Sequence, residues 1–207
     1  VRVISAAVLG DMLEFFDLAL ISFVIAFIAV PWGLTYTASA SILLAAGFGS
    51  IIGAILFGNI ADRVGRRPIF MFTIIFSGVM TGLMFFTPEG NWIYLVVLRF
   101  FVGLALGGLY CVDMPLVQEF APAKYRGRVG GIVTAFIPIG TLLASTSAAY
   151  LSPDIGWGGL FLVGLIPAFL ALLIRVWVPE SPRWLINNQK YDEAATAVDW
   201  VTEEHHD

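Results

Sequence analysis

Six long apolar stretches, each close to the length that crosses a lipid bilayer, constrain this chain more than any other feature. They lie at about residues 3–30, 38–61, 67–86, 92–119, 128–151 and 157–178. A helix needs about 20 apolar residues to cross roughly 30 Å of hydrocarbon. Only 13% of the residues are charged, whereas soluble domains carry about 25%. The sequence therefore predicts an all-α membrane protein with six transmembrane helices in the lipid bilayer.

The basic residues predict how these helices are oriented. Lys and Arg cluster between the second and third stretches, between the fourth and fifth, and after the sixth. The connections 31–37, 87–91 and 152–156 contain neither. Because Lys and Arg are enriched in cytoplasmic loops, we expect a multi-pass protein of the plasma (inner) membrane with both ends of this segment in the cytoplasm.

The composition changes abruptly after Pro179, where the chain becomes polar and acidic. Apolar side chains then recur at helical spacing, at Tyr191, Ala194, Ala195, Val198 and Val201. This pattern indicates an amphipathic helix under the bundle, and a solvated helical tail is the alternative. We expect a transmembrane bundle over 1–178 and a cytoplasmic helical linker over 179–207.

Several functional classes are disfavoured by what the chain contains. The net charge of −4 supplies no basic surface for nucleic acid. The two histidines, His205 and His206, are adjacent and lie outside every apolar stretch. An intramembrane enzyme would need a nucleophile with a base, or metal ligands. The sequence therefore predicts no enzyme, no catalytic residue, no metal and no bound cofactor.

Charged residues inside the apolar stretches are the strongest functional signal. Asp11, Glu14 and Asp17 lie on the first stretch, and Arg99 and Asp113 lie on the fourth. A charge at a helix centre costs about 2.5–3.5 kcal/mol, so such residues face the bundle interior and pair with one another. In an alternative interpretation, Asp11 and Glu14 are hydrated residues of a vestibule that opens to the cytoplasm.

Asp17 and Arg99 are predicted to meet if their helices pack together. A carboxylate beside Arg stays ionised, and a buried carboxylate without that partner takes up a proton. A conformational change that alters their distance would thus couple proton movement to transport. The alternative is a permanent salt bridge that only joins two helices. Two GxxxG pairs, Gly49 with Gly53 and Gly103 with Gly107, predict close helix packing.

Four motifs resemble those of the major facilitator superfamily, in the same order along the chain. The run from Gly58 to Arg67 is similar to its loop between helices two and three, and the run from Arg99 to Gly108 to its fourth-helix motif. The run from Glu119 to Arg128 is similar to the following loop of sugar-porter-like members, and Pro179 to Leu185 resembles their PESPRWL motif. Phe15-Phe16-Asp17 stands where those proteins carry two aromatics and an Asp.

The resemblance implies the N-terminal six-helix half of a transporter, built as a 3+3 repeat. A second six-helix half from the same full-length chain would complete it. Asp17 would be the protonated residue and Arg99 its partner. A cytoplasmic gate network would comprise Gly58, Asp62, Arg63, Gly65, Arg66, Arg67, Glu119, Arg126, Glu180 and Arg183.

The substrate is predicted only by class. Thr134 and Thr141 stand where sugar porters carry Gln. Two Thr hydroxyls form few of the hydrogen bonds that a hexose requires. Glu14 and Asp113 suit a cationic or zwitterionic substrate, whereas an anion would favour Arg99. We expect alternating-access symport of a small polar metabolite (an organic acid, organic cation or sugar-like molecule) driven by a proton gradient, with Na⁺ as the other possible ion. The alternatives are a stand-alone six-helix protein that dimerises as a channel or minimal carrier, and a non-transporting receptor.

Overall fold

The computed structural model describes residues 2–120, 123–176 and 180–203, and helices occupy most of them. The helices are α1 (Arg2–Ile28), α2 (Tyr36–Val64), α3 (Arg66–Met84), α4 (Trp92–Phe120), α5 (Arg126–Ala135), α6 (Ile137–Val176), α7 (Pro182–Asn187) and α8 (Tyr191–Glu203), with a 3₁₀ turn at Ala123–Tyr125. This helical architecture confirms the predicted all-α membrane protein.

Length and composition identify four membrane-crossing segments in the described part of the chain. They are Tyr36–Val64, Arg66–Met84, Trp92–Cys111 and Gly127–Leu170, and the last has 44 residues. Since about 20 residues suffice for one crossing, that last segment is long enough for two. Helix α1 has 27 residues, which is also long enough for one crossing, and it carries three acidic side chains.

The predicted fifth and sixth stretches differ from the helices observed. The predicted fifth stretch is divided at Phe136 into α5 and the first part of α6. The predicted sixth stretch forms the rest of α6. Pro138 has no N–H to continue the helical ladder, and Ile139 N–H instead donates to the Phe136 carbonyl at 3.0 Å. Within α6 only Gly156 departs from helical geometry, with φ 69°. The chain therefore breaks inside the predicted connection 152–156, and α6 consists of two helical segments that meet at Gly156. The prediction did not include the division at Phe136.

Helices α2 and α4, and helices α1 and α6, form the two most extensive helix pairs. Glycines let α2 and α4 approach until backbone touches backbone. A Cβ at Gly49 or Gly53 would collide with the carbonyl oxygen of Phe100 or Leu104, and one at Gly103 or Gly107 with that of Ala46 or Ser50. These contacts confirm that both GxxxG pairs pack helices closely.

The apolar core lies between α1, α4 and α6. Leu20 and Ile28 of α1 pack with Val102 of α4 and with Ala144 and Leu160 of α6, and all five are almost fully buried. Large apolar side chains on the outside are exposed, as lipid contact requires; they include Phe48, Ile51, Ile55, Leu142, Ile166 and Phe169. The acidic side chains of α1 therefore point into protein rather than toward lipid.

Helix α8 differs in detail from the amphipathic pattern. Ala194 and Ala197 are its buried residues in the described part, and they pack on Leu185 of α7. Tyr191 and Ala195, which the spacing assigns to the apolar face, are exposed. The helix is formed as predicted, and Ala194 of the predicted face is buried. The side chains of Val198 and Val201 lie outside the residues that the structure describes.

We expect Gly49→Ala to destabilise the full-length protein by about 1–3 kcal/mol, because the added methyl group forces α2 away from α4. Gly47→Ala is the matched control, since a Cβ there meets nothing within 4 Å. Thermal unfolding in detergent measures both. Equal melting temperatures for the two variants would contradict the close contact.

Candidate functional site

An ion pair buried in the bundle joins α1 to α4. One terminal guanidinium nitrogen of Arg99 lies 2.6 Å from the Asp17 Oδ2 atom. Arg99 is 1% exposed and Asp17 is 9% exposed. A charge-assisted hydrogen bond of this length is among the stronger polar contacts in proteins. The two charges that the sequence suggested as partners are therefore in contact.

Asp17 has a second partner on α3. The Thr81 hydroxyl donates to the Asp17 Oδ1 atom at 3.4 Å, and Thr81 is itself buried. The Asp17 carboxylate thus receives hydrogen bonds from two neighbouring helices. On the other side of the pair, the buried Nε atom of Arg99 has no hydrogen-bond partner among the described residues. The guanidinium is held to Asp17 through one nitrogen only, not in the stronger bidentate arrangement.

The remaining acids of α1 continue a stripe toward the start of the helix. Asp11 and Glu14 are each 2% exposed. Across from them, the phenol of Tyr110 on α4 interacts with Glu14 and lies within electrostatic range of Asp11. The three acids, which we call the acidic stripe (Asp11, Glu14 and Asp17), are enclosed by protein in this half of the structure.

A small cavity of about 50 Å³ lies beside the acidic stripe. It is lined by residues of α1, α3, α4 and α6, among them Glu14, Asp17, Thr73, Ser77 and Thr81. A cavity of this size holds a few water molecules and is far smaller than a metabolite site of roughly 300 Å³ or more. We call it the internal cavity. It lies directly beside the Asp17 side chain of the ion pair.

A second polar cluster surrounds the turn between α2 and α3. The Glu180 carboxylate accepts hydrogen bonds from the backbone N–H groups of Arg66 (3.1 Å), Arg67 (3.0 Å) and Ser181 (2.9 Å). It therefore caps the first turn of α3, whose free N–H groups and helix dipole favour an anion. At Gly65, φ is 118°, and a Cβ would lie 2.7 Å from Glu180 Oε2. Glycine is needed there for both reasons.

The segment after residue 180 is fastened to α2 at one further point. The indole N–H of Trp184 donates to the Asp62 carbonyl at 3.1 Å. Ser181 caps α7 by accepting a hydrogen bond from the Trp184 backbone N–H at 3.1 Å. Of the predicted gate residues, Gly65, Arg66, Arg67 and Glu180 are thus assembled around one turn, and Asp62 joins them through its backbone.

Other predicted site residues are not brought into either cluster. Arg63 and Arg183 are exposed, Gly58 packs near Cys111, and Thr141 is exposed. The exposed Thr134 hydroxyl donates to the carbonyl of Gly130, one turn earlier in its own helix, at 2.9 Å. The side chains of Asp113, Glu119 and Arg126 lie outside the residues that the structure describes.

The sequence interpretation missed three features: the Thr81 contact, the internal cavity and the capping role of Glu180. A signal existed for the first two, because Thr73, Ser77 and Thr81 recur every fourth residue on an otherwise apolar helix. Hydroxyls at that spacing share one helix face. Glu180 contacts residues that precede it by 113 and 114 positions in the sequence. No local sequence pattern predicts such a contact.

Comparison with known families gives a consistent result. The family model described as sugar (and other) transporter matches residues 3–207. The chain is 36% identical over 193 residues to the niacin transporter NiaP of Acinetobacter baylyi, covering 93% of this chain and 44% of that protein. It is 33% identical over 201 residues to organic cation/carnitine transporter 7 of Arabidopsis thaliana, covering 97% of this chain and 40% of that protein.

The fold matches solved structures of XylE from E. coli. With the proton:xylose symporter XylE bound to 6-bromo-6-deoxy-D-glucose, the TM-score is 0.82 at 24% identity, covering 98% of this chain and 51% of that one. The chain thus spans about half the length of the proteins it matches.

These relatives are transporters, which confirms the prediction that the chain is not an enzyme. Integral, multi-pass membrane placement agrees with the apolar helices. The order of the motifs, the helical architecture and the family match agree, and the chain belongs to the sugar (and other) transporter family.

Proposed function

We propose that this chain is the N-terminal half of a secondary active transporter that carries a small polar metabolite together with protons by alternating access. The buried Asp17–Arg99 pair carries the proposal. A lone carboxylate or guanidinium in this environment would cost several kcal/mol, so the charge on Asp17 depends on whether Arg99 is in contact. XylE, which has a similar fold, is a proton:xylose symporter, and this likeness supports the same coupling here.

The coupling would work through competition between Arg99 and a proton for the same carboxylate. While the 2.6 Å contact persists, the guanidinium neutralises Asp17. If the contact breaks, the buried carboxylate needs another positive charge, and a proton is the smallest that can reach it. Proton uptake would then be linked to the change of conformation, and symport requires this link.

The rest of the molecule fits this function as follows. Residues 1–178 would form the membrane bundle and residues 179–207 the cytoplasmic linker, with both ends in the cytoplasm and the protein in the plasma (inner) membrane. The cluster around Glu180 would be part of the cytoplasmic gate. A second half, also from the full-length chain, would supply the other wall of a midplane substrate cavity.

The substrate class is a small polar metabolite. Relatives are named for niacin and for organic cations and carnitine. Glu14, Asp113, Thr134 and Thr141 remain the candidates for substrate contact. Uptake into proteoliposomes of labelled niacin, carnitine and xylose, with and without a pH gradient, tests both the transport activity and the coupling of the full-length protein.

We expect Asp17→Asn to abolish accumulation of substrate against its gradient, because the amide cannot take up and release the proton. Exchange of substrate across the membrane is expected to persist. Asp154→Asn, which removes an exposed carboxylate, is the matched control. Proteoliposome uptake measures the three proteins, and normal accumulation in Asp17→Asn would count against the mechanism.

We expect Arg99→Ala to uncouple substrate movement from the proton gradient, because Asp17 then lacks its counter-charge in either conformation. The measurement is the dependence of transport rate on pH in Arg99→Ala and in the unmodified protein. If the two pH profiles have the same shape, the pair serves only to hold α1 and α4 together.

We expect Glu180→Gln to weaken the cap on α3 by about 0.5–2 kcal/mol, because a neutral amide interacts less favourably with the helix N-terminus. Hydrogen exchange of the Arg66 and Arg67 amides in the full-length protein should become faster. Glu193→Gln is the control, since Glu193 forms an exposed pair with Lys190 at 3.1 Å, and such pairs contribute about 0–1 kcal/mol. Unchanged exchange in Glu180→Gln would contradict the capping role.

A further inference from the structure

The internal cavity is a feature that the ion pair alone does not require. Its volume of about 50 Å³ lies within a single half, and a metabolite does not fit there. A cavity filled by apolar side chains would stabilise the bundle further, since empty space in a core is costly. The position of this space beside two carboxylates suggests that it contains water.

The walls of the internal cavity are mostly apolar. Their polar groups are two carboxylates and three hydroxyls, from Glu14, Asp17, Thr73, Ser77 and Thr81. Gly78 of α3 and Gly164 of α6 leave the space open. A buried water needs about two to four polar partners, and these five side chains supply them.

The cavity connects two members of the acidic stripe. Glu14 and Asp17 both line it, and residues three apart on a helix have Cβ atoms roughly 5–6 Å apart. Water between two such side chains can transfer a proton. Among the described residues, Tyr110 on α4 interacts with Glu14, and Asp11 precedes Glu14 by three positions on α1. The cavity-lining residues of α3 and α6 carry no ionisable side chain.

We propose that Glu14 relays protons to Asp17 through water in the internal cavity, along a route inside this half. In the transfer, the O–H bond of protonated Glu14 breaks and its proton passes to a cavity water. That water gives a proton to the Asp17 carboxylate, and the Glu14 carboxylate regains one from the aqueous phase at the Asp11 end of the stripe. The relay deepens the proposed function, and rests on it in one respect: Asp17 is the group that takes up the proton.

The test uses the proton itself as the probe, in purified full-length protein without substrate. After a rapid pH drop, time-resolved infrared spectroscopy follows the carboxylic C=O band that Asp17→Asn removes. Glu14→Gln should slow the appearance of that band about tenfold, a modest part of what a positioned proton donor contributes. Glu14→Asp should restore much of the rate, because it keeps a titratable group on the cavity.

Filling the cavity gives a second, independent variant that leaves every acid in place. Methyl groups at Gly78 and Gly164 would meet their neighbours at ordinary distances of 3.6 Å or more, so the double variant Gly78→Ala/Gly164→Ala should fold and displace water. This double variant should slow the appearance of the same carboxylic C=O band. Gly82→Ala is the matched control, because Gly82 lies one turn from Gly78 on α3 and does not line the cavity.

An unchanged rate in Glu14→Gln or in the cavity-filled variant overturns the relay. Retained fluorescence-detected size-exclusion profiles show that each variant is folded. The proposed function fails on a different observation, namely the absence of gradient-driven uptake in unmodified protein. The relay is supported if the carboxylic C=O band appears slowly in Glu14→Gln but reaches the same intensity as in the unmodified protein at equilibrium. This result does not depend on which substrate the transporter carries.

Discussion

The burial of one carboxylate against one guanidinium is the constraint around which this structure is arranged. Asp17 and Arg99 lie on helices that are far apart in sequence, and neither charge is tolerable without the other at this depth. Buried ion pairs are weak stabilisers, and apolar side chains of similar volume often serve a fold as well. The retention of this pair in an otherwise apolar core is therefore better explained by a use for its charge than by packing alone.

Both partners belong to the same helical bundle, and this limits how the pair could open in the proposed mechanism. Movement of the bundle as a rigid body does not change the distance between them. The α4 backbone is also fixed near Arg99, because Gly103 and Gly107 hold it against α2. The Arg99 side chain, bound to Asp17 through a single nitrogen, is by contrast long and rotatable. The proposed opening of the pair is therefore a local event at that side chain or at α1.

Much of this architecture is predictable from sequence because lipid imposes simple rules. Apolar length gives the first four helices, glycine spacing gives the contact of α2 with α4, and the rarity of buried charge identifies Asp17 and Arg99. The division at Phe136 was not predictable, because hydropathy does not respond to the backbone geometry at Pro138. The Glu180 cap depends on residues brought together by tertiary packing, which no local periodicity encodes. The internal cavity had one local signal, the spacing of three hydroxyls on α3.

Helix α3 connects the two polar clusters of the molecule. Its first turn is capped by Glu180, and its face with Thr73 and Thr81 lines the internal cavity before reaching Asp17. Because an α-helix is stiff along its axis, α3 cannot shift at the capped end without altering the hydroxyls that face the acidic stripe. The cap is formed by a segment that follows all the apolar helices in sequence. The position of that segment and the Thr81 contact of Asp17 are thus constrained by a single element.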